Sequence, residues 1–549
     1  MTFVITQNCC NDASCVPVCP VNCIHPTPDE PGYATTEMLY IDPEACIECG
    51  ACLDACPVGA IEPDYDLTDA ALPFLELNSV YYRDPEHQGY AQVPHVAPAP
   101  RSWKDSGTLR VAIVGAGPAS SYAVEHLLAQ RGLDVQIDVF EKLMTPWGLL
   151  RHGVAPDHAA TKKAAEAFTR SMRHRAVRVF FDVTVGMDIT LSDLADRYHA
   201  VLYGVGAASD RRLNIPGEDL PGSMAATSLV AWYNGHPDGL EFKPDLSSER
   251  AIVVGNGNVA LDVARILASD ADDLRKTDIA EHSIDVLAGS NIREIRVIGR
   301  RGADVAAFTT PELIGLRESL GPRLIRSAEL GERSPDATVV AEYKRELIEK
   351  LPMQAPKTDE PVVVLDFGRS VVEIVGDSQV QALRLEPTGG GGVVDVECGL
   401  VVRAVGYRSE PIPGLPFDSE RAVVPHAEGR VLDADGQTVT GAYVTGWVKR
   451  GPSGALGTNR RCARATVSSL LDDFRGGILA EPDIVDDIAE QLPNAVNFDD
   501  WRHLDSHEKS TGRAAGRSRL KTVNRDEQHT IVATRESRLP GAACQQGAL

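Results

Sequence analysis

Nine of the twelve cysteines fall between Cys9 and Cys56. The later group reads Cys46-Ile-Glu-Cys49-Gly-Ala-Cys52-Leu-Asp-Ala-Cys56-Pro57, a Cys-x2-Cys-x2-Cys-x3-Cys-Pro run. That spacing wraps three thiolates around one iron–sulfur cubane and turns the fourth toward another cluster. The earlier group runs Cys9-Cys10-Asn-Asp12-Ala-Ser-Cys15-Val-Pro-Val-Cys19-Pro20. It keeps the closing Cys-x3-Cys-Pro but has Asp12 where the middle cysteine of a regular run would stand. Crossing the two runs assigns Cys19, Cys46, Cys49 and Cys52 to a [4Fe-4S] cluster. Cys9, Cys15 and Cys56 are left for the other, and three thiolates suit a [3Fe-4S] cluster. A second [4Fe-4S] cluster completed by Asp12, Cys10 or solvent is the alternative. Cys10 and Cys23 are expected as free or packing thiols.

Two glycine turns supply a second kind of chemistry. Val111-Ala-Ile-Val-Gly115-Ala-Gly117-Pro-Ala-Ser120 is an apolar strand, a tight turn and a helix start, and the next strand, Val135–Phe140, leads to Glu141. Gly115 permits the turn, and Gly117 lets the backbone approach a pyrophosphate on the helix N-terminus. Glu141 is placed to accept from a ribose. Ser120 stands where the third fingerprint glycine would be. The second turn, Gly255-Asn256-Gly257-Asn258-Val259-Ala260, follows Arg250-Ala-Ile-Val-Val in the same way. The strand after it, Ile292–Ile298, ends in Gly299-Arg300-Arg301. An enzyme for an unphosphorylated nucleotide carries an acid there. Two arginines instead suit a 2′-phosphate by charge and forked geometry. One chain with two such sites fits a flavoprotein that also binds a nicotinamide nucleotide.

The Gly- and Pro-rich stretch Thr145–His158 reads as a loop against a flat ring, with Trp147 as a wall of that cofactor site. Strand, Gly-rich turn and helix recur at Ala442–Asn459, before a helix over Arg461–Phe474. Its N-terminus would face a polar cofactor edge and stabilise negative charge there. Other expected elements are a helix over Leu67–Tyr82 resting on Leu72, Leu75 and Val80, and an amphipathic helix over Thr161–His174. Asp270–Asn291 is an insertion, and Glu86–Gly107 a Pro-rich linker. The tail from Pro482 carries helices near Ile484–Leu492 and Phe498–Ser510, a basic run at Arg513–Arg525 and a disordered last dozen residues, and shows no chemistry of its own.

Composition limits the partners. The 549 residues are enough for three or four domains, and 43% are hydrophobic, as in a globular protein. A net charge of −24, with no Lys or Arg before Arg83, argues against nucleic acid. No apolar run reaches the length of a membrane span. The N-terminal MTFVITQNCC lacks the features of a signal peptide, so a cytoplasmic protein is expected. Crowded cysteines in that setting point to metal rather than disulfides.

The cysteine module, over about Thr2–Tyr82, resembles the seven-iron ferredoxins. Pro-Trp147-Gly, Gly-Asn-Gly-Asn-Val-Ala-Leu-Asp, Gly-Arg300-Arg301 and Gly-Trp447-Val-Lys-Arg-Gly-Pro-x-Gly454 resemble the adrenodoxin-reductase type of ferredoxin–NADP reductase, over about Leu109–Phe474. Together the chain resembles the fused ferredoxin/ferredoxin–NADP reductases. The resemblance implies an α+β ferredoxin-like iron–sulfur domain joined to an α/β body with two Rossmann-type, glutathione-reductase-like nucleotide-binding domains. The corresponding division is a ferredoxin domain at 1–85, a linker at 86–107, an FAD domain at 108–210 and 412–549, and an NADP domain at 211–411. FAD would touch Gly115, Gly117, Ala119, Glu141, Leu149, Val185, Trp447, Gly454, Ala455 and Leu456. NADP would touch Arg211, Gly255, Asn256, Gly257, Asn258, Val259, Arg300, Arg301, Gly454 and Glu312, the last in a loop. Asp157 and His158 would lie near the flavin as a proton route.

The mechanism this implies passes a hydride from NADPH to FAD, then single electrons to the clusters. From there they reach a soluble acceptor such as a ferredoxin, a haem monooxygenase or an iron–sulfur enzyme. A glutamate-synthase-small-subunit-like donor is disfavoured, because its cysteines sit at different spacing in a helical domain. A non-catalytic electron-transfer scaffold is disfavoured by the two intact glycine turns. The arginine pair makes a direct prediction: under anaerobic conditions NADPH bleaches the flavin band faster than NADH. Equal rates would contradict the 2′-phosphate assignment.

Overall fold

The computed structural model describes residues 2–95, 103, 107–484 and 486–536. In the N-terminal module, Phe3–Ile5 pairs antiparallel with Ile61–Pro63, and Ile24–His25 with Tyr40–Ile41. The Leu72–Tyr81 helix covers both ribbons. Asn78 joins them from that helix. Its buried side chain accepts from Ile5 N and Ile41 N and donates to Ile5 O. A buried amide without partners would be costly; here it stitches two short ribbons that could not stand alone. The face this helix buries is Phe74, Leu77, Val80 and Tyr81, while Leu72 is 47% exposed and Leu75 only partly covered. Of the three apolar positions expected inside, Val80 alone is buried.

The flavin-side sheet has seven strands. Its parallel part runs Thr438–Val444, Ala200–Tyr203, Thr108–Val114, Asp134–Glu141, Val177–Phe181. The second sheet has six parallel strands, in the order Ser223–Ala225, Leu400–Arg403, Arg250–Val254, Glu294–Gly299, Val362–Phe367, Leu324–Arg326. Their centres are unbroken apolar runs such as Val111–Val114 and Ala251–Val254, because helices cover both faces. The chain leaves the first sheet through Ser209–Asp210 and returns through Tyr407–Arg408, and these two segments pair antiparallel.

Several elements differ from expectation. The Thr161–His174 helix is two, Ala159–Lys162 and Ala164–Met172. Glu312 lies on a helix, Thr310–Leu320, because the Thr309 hydroxyl caps the Glu312 N–H and Pro311 opens the first turn. Trp147 is not a wall beside an opening. Its indole is 5% exposed and packs on Phe168 and Trp501, while its backbone N–H bonds to Ala116 O. Residues 96–102 and 104–106 of the proline-rich linker, and the last dozen residues, lie outside the described part.

The tail is structural. Phe498–Ala514 is a helix with an Asn497/Asp500 capping box, and Arg525–Glu536 another. Glu508, fully buried, pairs with Arg151 and Arg519. Asp278, in the insertion of the second sheet's domain, pairs with Lys162 at 2.6 Å and with Lys521 of the tail at 3.2 Å. One carboxylate thus ties three distant segments together. Burial alone would raise the Asp278 pKa, but the two ammonium groups overcome that and hold it at about 2. Its contribution to stability is present above the ordinary carboxylate pKa, about 3.9, and is lost as pH falls toward 2. Asp278→Asn should destabilise the fold by about 3–5 kcal/mol at pH 7, since the buried Lys521 and the half-buried Lys162 lose their counter-charge. Denaturant midpoints should show the gap to wild type closing by pH 2. A gap independent of pH would contradict the ion-pair account.

Candidate redox site

The cysteines surround two voids. One is lined by Cys19, Cys23, Cys46, Cys49 and Cys52, with Phe3 and Ile41. The other is lined by Cys9, Cys10, Cys15, Cys56 and Asp12, with Leu39 and Val58. The two crossed cysteine sets therefore fall on separate voids. Left-handed backbone at Asn11, Ala13 and Glu48 folds these loops back so that the thiols converge. Backbone N–H groups point at sulfur: Cys23 N lies 3.3 Å from Cys19 Sγ, and Ala60 N lies 3.2 Å from Cys56 Sγ. Such bonds tune a cluster's potential. Burial pushes the Cys9 and Cys52 thiols up to about 12, so thiolates there need a cation to displace the proton. Donor type and convergence fit iron–sulfur clusters. Cys23 Sγ lies 3.4 Å from Cys19 Sγ, beside the first void. Asp12 is engaged with Ser14 and with Arg460 at 3.3 Å.

The first glycine turn leaves a nucleotide-sized approach. Gly115 has φ +93°, and a Cβ there would lie 2.9 Å from the Gly204 carbonyl oxygen. Gly117 begins the Pro118–Leu128 helix, and a Cβ on it would meet nothing within 4 Å, so the backbone is open where a pyrophosphate would lie. Ser120 is accommodated because Gly204 faces it; a Cβ at Gly204 would overlap the Ser120 hydroxyl. Close strand–helix packing is kept by moving the small residue to the partner strand. Glu141 accepts from Ala116 N at 2.8 Å and Leu143 N at 3.0 Å, and burial raises its pKa. Ala119 meets the Trp447 turn, where a Cβ on Gly446 would lie 2.7 Å from the Ala119 Cβ. Ala455 caps the long helix Leu456–Arg475 just after Gly454. Leu149 opens the short helix after Gly148, and Val185 sits at the sheet margin, bridged to Ile189. These features fit a flavin dinucleotide.

The second turn has the same form. Gly255 has φ +109°, and a Cβ there would overlap the Ala404 carbonyl; Gly257 is open, and Ala260 is fully buried. Asn256 and Asn258 accept from Ala307 N and Thr309 N, tying the turn to the chain before Glu312. Val259 packs partly against the core. Arg300 and Arg301 are exposed just past the Glu294–Gly299 strand, and no ion pair among the described residues occupies either guanidinium. Arg211 is likewise exposed, beside Gly406.

Asp157, His158 and Glu312 converge on a residue that spacing did not single out, Arg265. This buried guanidinium donates to both Asp157 oxygens at 2.6 and 3.0 Å, to Glu312 at 2.7 Å and to Asp262 at 2.6 Å. His158 Nε2 lies 2.8 Å from Arg265 Nη2. Arginine only donates, so Nε2 accepts and the ring proton sits on Nδ1. Burial would raise the Asp157 pKa, but Arg265 more than offsets it and lowers it; burial and then Asp262 raise that of Glu312. His158, Asp262 and Glu312 have the spacing of metal ligands. The guanidinium between them already supplies the positive charge.

The cysteine module is docked on both nucleotide-binding parts. The Gly457 N–H donates to the Cys10 carbonyl at 2.7 Å. Glu37 accepts from Thr310 N at 2.7 Å and pairs with the buried Lys344, and Tyr343 donates to Pro73 O.

Comparison with known proteins gives this arrangement a place. Residues 39–62 match the 4Fe-4S binding domain, and residues 109–306 match the pyridine nucleotide-disulphide oxidoreductase family. The probable ferredoxin/ferredoxin–NADP reductase of Mycobacterium tuberculosis is 46% identical over 95% of this chain and 93% of its own length. The chain belongs to the ferredoxin/ferredoxin–NADP reductase family. The family member from Mycobacterium leprae is 45% identical over 97% of this chain and 98% of its own. The structure of Mycobacterium tuberculosis FprA in complex with NADPH superposes with a TM-score of 0.72 at 38% identity, covering 78% of this chain and all of that one.

Asp262 and Arg265 did carry a signal. They lie three residues apart on the helix of a nucleotide turn, where a charged pair needs a reason to be buried. Arg460, Glu37 and Lys344 carried none, since each partner lies hundreds of residues away. Gly255→Ala should weaken NADP(H) binding at least about tenfold, or about 1.4 kcal/mol, and leave flavin absorbance per chain unchanged. An unaltered NADPH Kd would contradict the turn's role.

Proposed function

We propose that the chain is a ferredoxin–NADP reductase that carries its own ferredoxin and draws electrons from NADPH. The observation that carries this reading is the docking of the Cys9–Cys15 loop against the helix that begins at Leu456, beside the flavin turn. The bound groups supply the redox chemistry itself: a flavin takes a hydride and releases electrons singly, and clusters accept them one at a time. The side chains bind and position. Gly115, Gly117, Ala119, Glu141, Leu149, Val185, Trp447 and Gly454–Leu456 are the proposed FAD cradle. Gly255–Val259, Arg211, Arg300, Arg301, Glu312 and Gly454 are the proposed NADP contacts. The paired ribbon Ser209–Asp210/Tyr407–Arg408 supports a division into an NADP domain at 211–411 set within an FAD domain at 108–210 and 412–549.

Cys19, Cys46, Cys49 and Cys52 are proposed to hold a [4Fe-4S] cluster. Cys9, Cys15 and Cys56 are proposed to hold a [3Fe-4S] cluster, a reading supported by Asp12 being paired elsewhere. The proton route through Asp157 and His158 ends on Arg265, a guanidinium that keeps its protons. These residues are better read as a set that positions Glu312 on the nicotinamide side. The final acceptor is proposed to be a soluble redox protein, in a chain whose described helices include none long and apolar enough to cross a membrane.

Anaerobic titration with NADPH should deliver about four electrons per chain, two for the flavin and one for each cluster. A [3Fe-4S] signal should be present in the oxidised protein and vanish during the titration. Uptake of only two electrons would contradict a reductase joined to its own acceptor. An oxidised protein without that signal would overturn the three-thiolate assignment.

A further inference from the structure

The two cysteine sets stand differently toward the flavin side. The set of Cys9, Cys15 and Cys56 faces inward. Cys10 shares a buried cluster with Tyr122 of the flavin-turn helix, and Cys9, Cys56 and Leu456 pack against that cluster. Gly457 follows Leu456, its N–H bonds to Cys10 O, and a Cβ on it would overlap the Asn11 carbonyl. The approach is therefore backbone to backbone. One turn later Arg460 donates to Asp12 O at 2.8 Å and to Ser14 Oγ at 2.9 Å, with its guanidinium 6.0 Å from the Tyr122 ring centroid. The set of Cys19, Cys46, Cys49 and Cys52 reaches the surface on one side, although Cys19 and Cys52 are buried. Cys49 is exposed, and Ile47 and Leu53 beside it are 58% and 41% exposed.

We propose that electrons leaving the flavin side must enter through the Cys9/Cys15/Cys56 site and leave for the external acceptor through the Cys19/Cys46/Cys49/Cys52 site. Gly457 and Arg460 are the positioning residues that hold the inner site in place. The proposal rests on the cofactor assignment above and adds an order to it. Each NADPH gives up a hydride, and the two electrons pass on singly. Each electron reduces the inner site, which is reoxidised as the outer site is reduced. The outer site is reoxidised by the acceptor, and the proton left from the hydride goes to solvent. Arg460 fits its role by charge, since a cation from the reductase body meets an acidic module that has no Lys or Arg before Arg83.

The test is anaerobic mixing of the holoenzyme with NADPH, followed by freeze-quench paramagnetic resonance of both clusters and flavin absorbance. In the wild type the inner signal should change before the outer one. In Cys15→Ser the flavin should still bleach while reduction of the outer cluster slows at least tenfold. Because that variant can lose structure, Arg460→Glu is its companion. It should retain FAD and both clusters, slow inner-site reduction at least tenfold and raise hydrogen exchange at amides 9–15. Arg460→Lys should recover part of both effects. Reduction of the outer cluster at the wild-type rate in Cys15→Ser, or before the inner one in the wild type, would overturn the order. So would an Arg460→Glu protein with wild-type cluster kinetics. If NADPH leaves the wild-type flavin unbleached, the functional reading itself falls and the order falls with it.

Discussion

The arrangement depends on one backbone contact, the Gly457 N–H against the Cys10 carbonyl. Glycine is required there because any side chain would run into Asn11. The contact joins the start of the long Leu456–Arg475 helix to a cysteine loop whose own shape depends on left-handed backbone at Asn11 and Ala13. The same helix packs along the helix of the Gly115 turn. Two sites remote in sequence are thus brought against one helix. The ferredoxin module is not a passenger on a linker, because Glu37 caps the helix that carries Glu312 and pairs with Lys344. A module free of basic residues before Arg83 meets cations on the body, and complementary charge fixes register as well as attraction.

The tail adds a second constraint. Lys521 and Lys162 meet over Asp278, and Arg151 and Arg519 meet over Glu508. These are buried charges, each costly alone and tolerable only in company. They hold the insertion of the nicotinamide-side domain against the flavin-side domain. The Trp501 indole adds an apolar contact to the same closure by packing on Trp147, one residue from the Gly148 turn. The proposed flavin cradle is in this way backed by the tail.

Much of this was legible in the sequence where chemistry imposes a spacing. Thiolates that share a cluster must recur at set intervals, and a strand turning over a pyrophosphate must have glycine at Gly115 and Gly255. Parallel strands buried on both faces must read as apolar runs, and Val111–Val114 does. What was hidden depended on pairing across the chain. Arg265 finds Asp157 at a separation of 108 residues, and Arg460 finds Asp12 at 448. Nothing periodic marks such partners. Trp147 was misread because its Gly and Pro neighbours describe the backbone, which does line the turn, while the indole points the other way into the core. Glu312 was taken for a loop residue because Phe-Thr-Thr-Pro looks irregular, although Thr309 and Pro311 are also the signature of a helix start.

The central claim is that flavin and clusters work as one docked unit within a single chain. It is tested most directly by the concentration dependence of cluster reduction after anaerobic mixing with NADPH. A docked relay predicts a first-order rate that does not change as the protein is diluted. A rate that falls in proportion to protein concentration would mean that electrons pass between molecules, and would contradict the account.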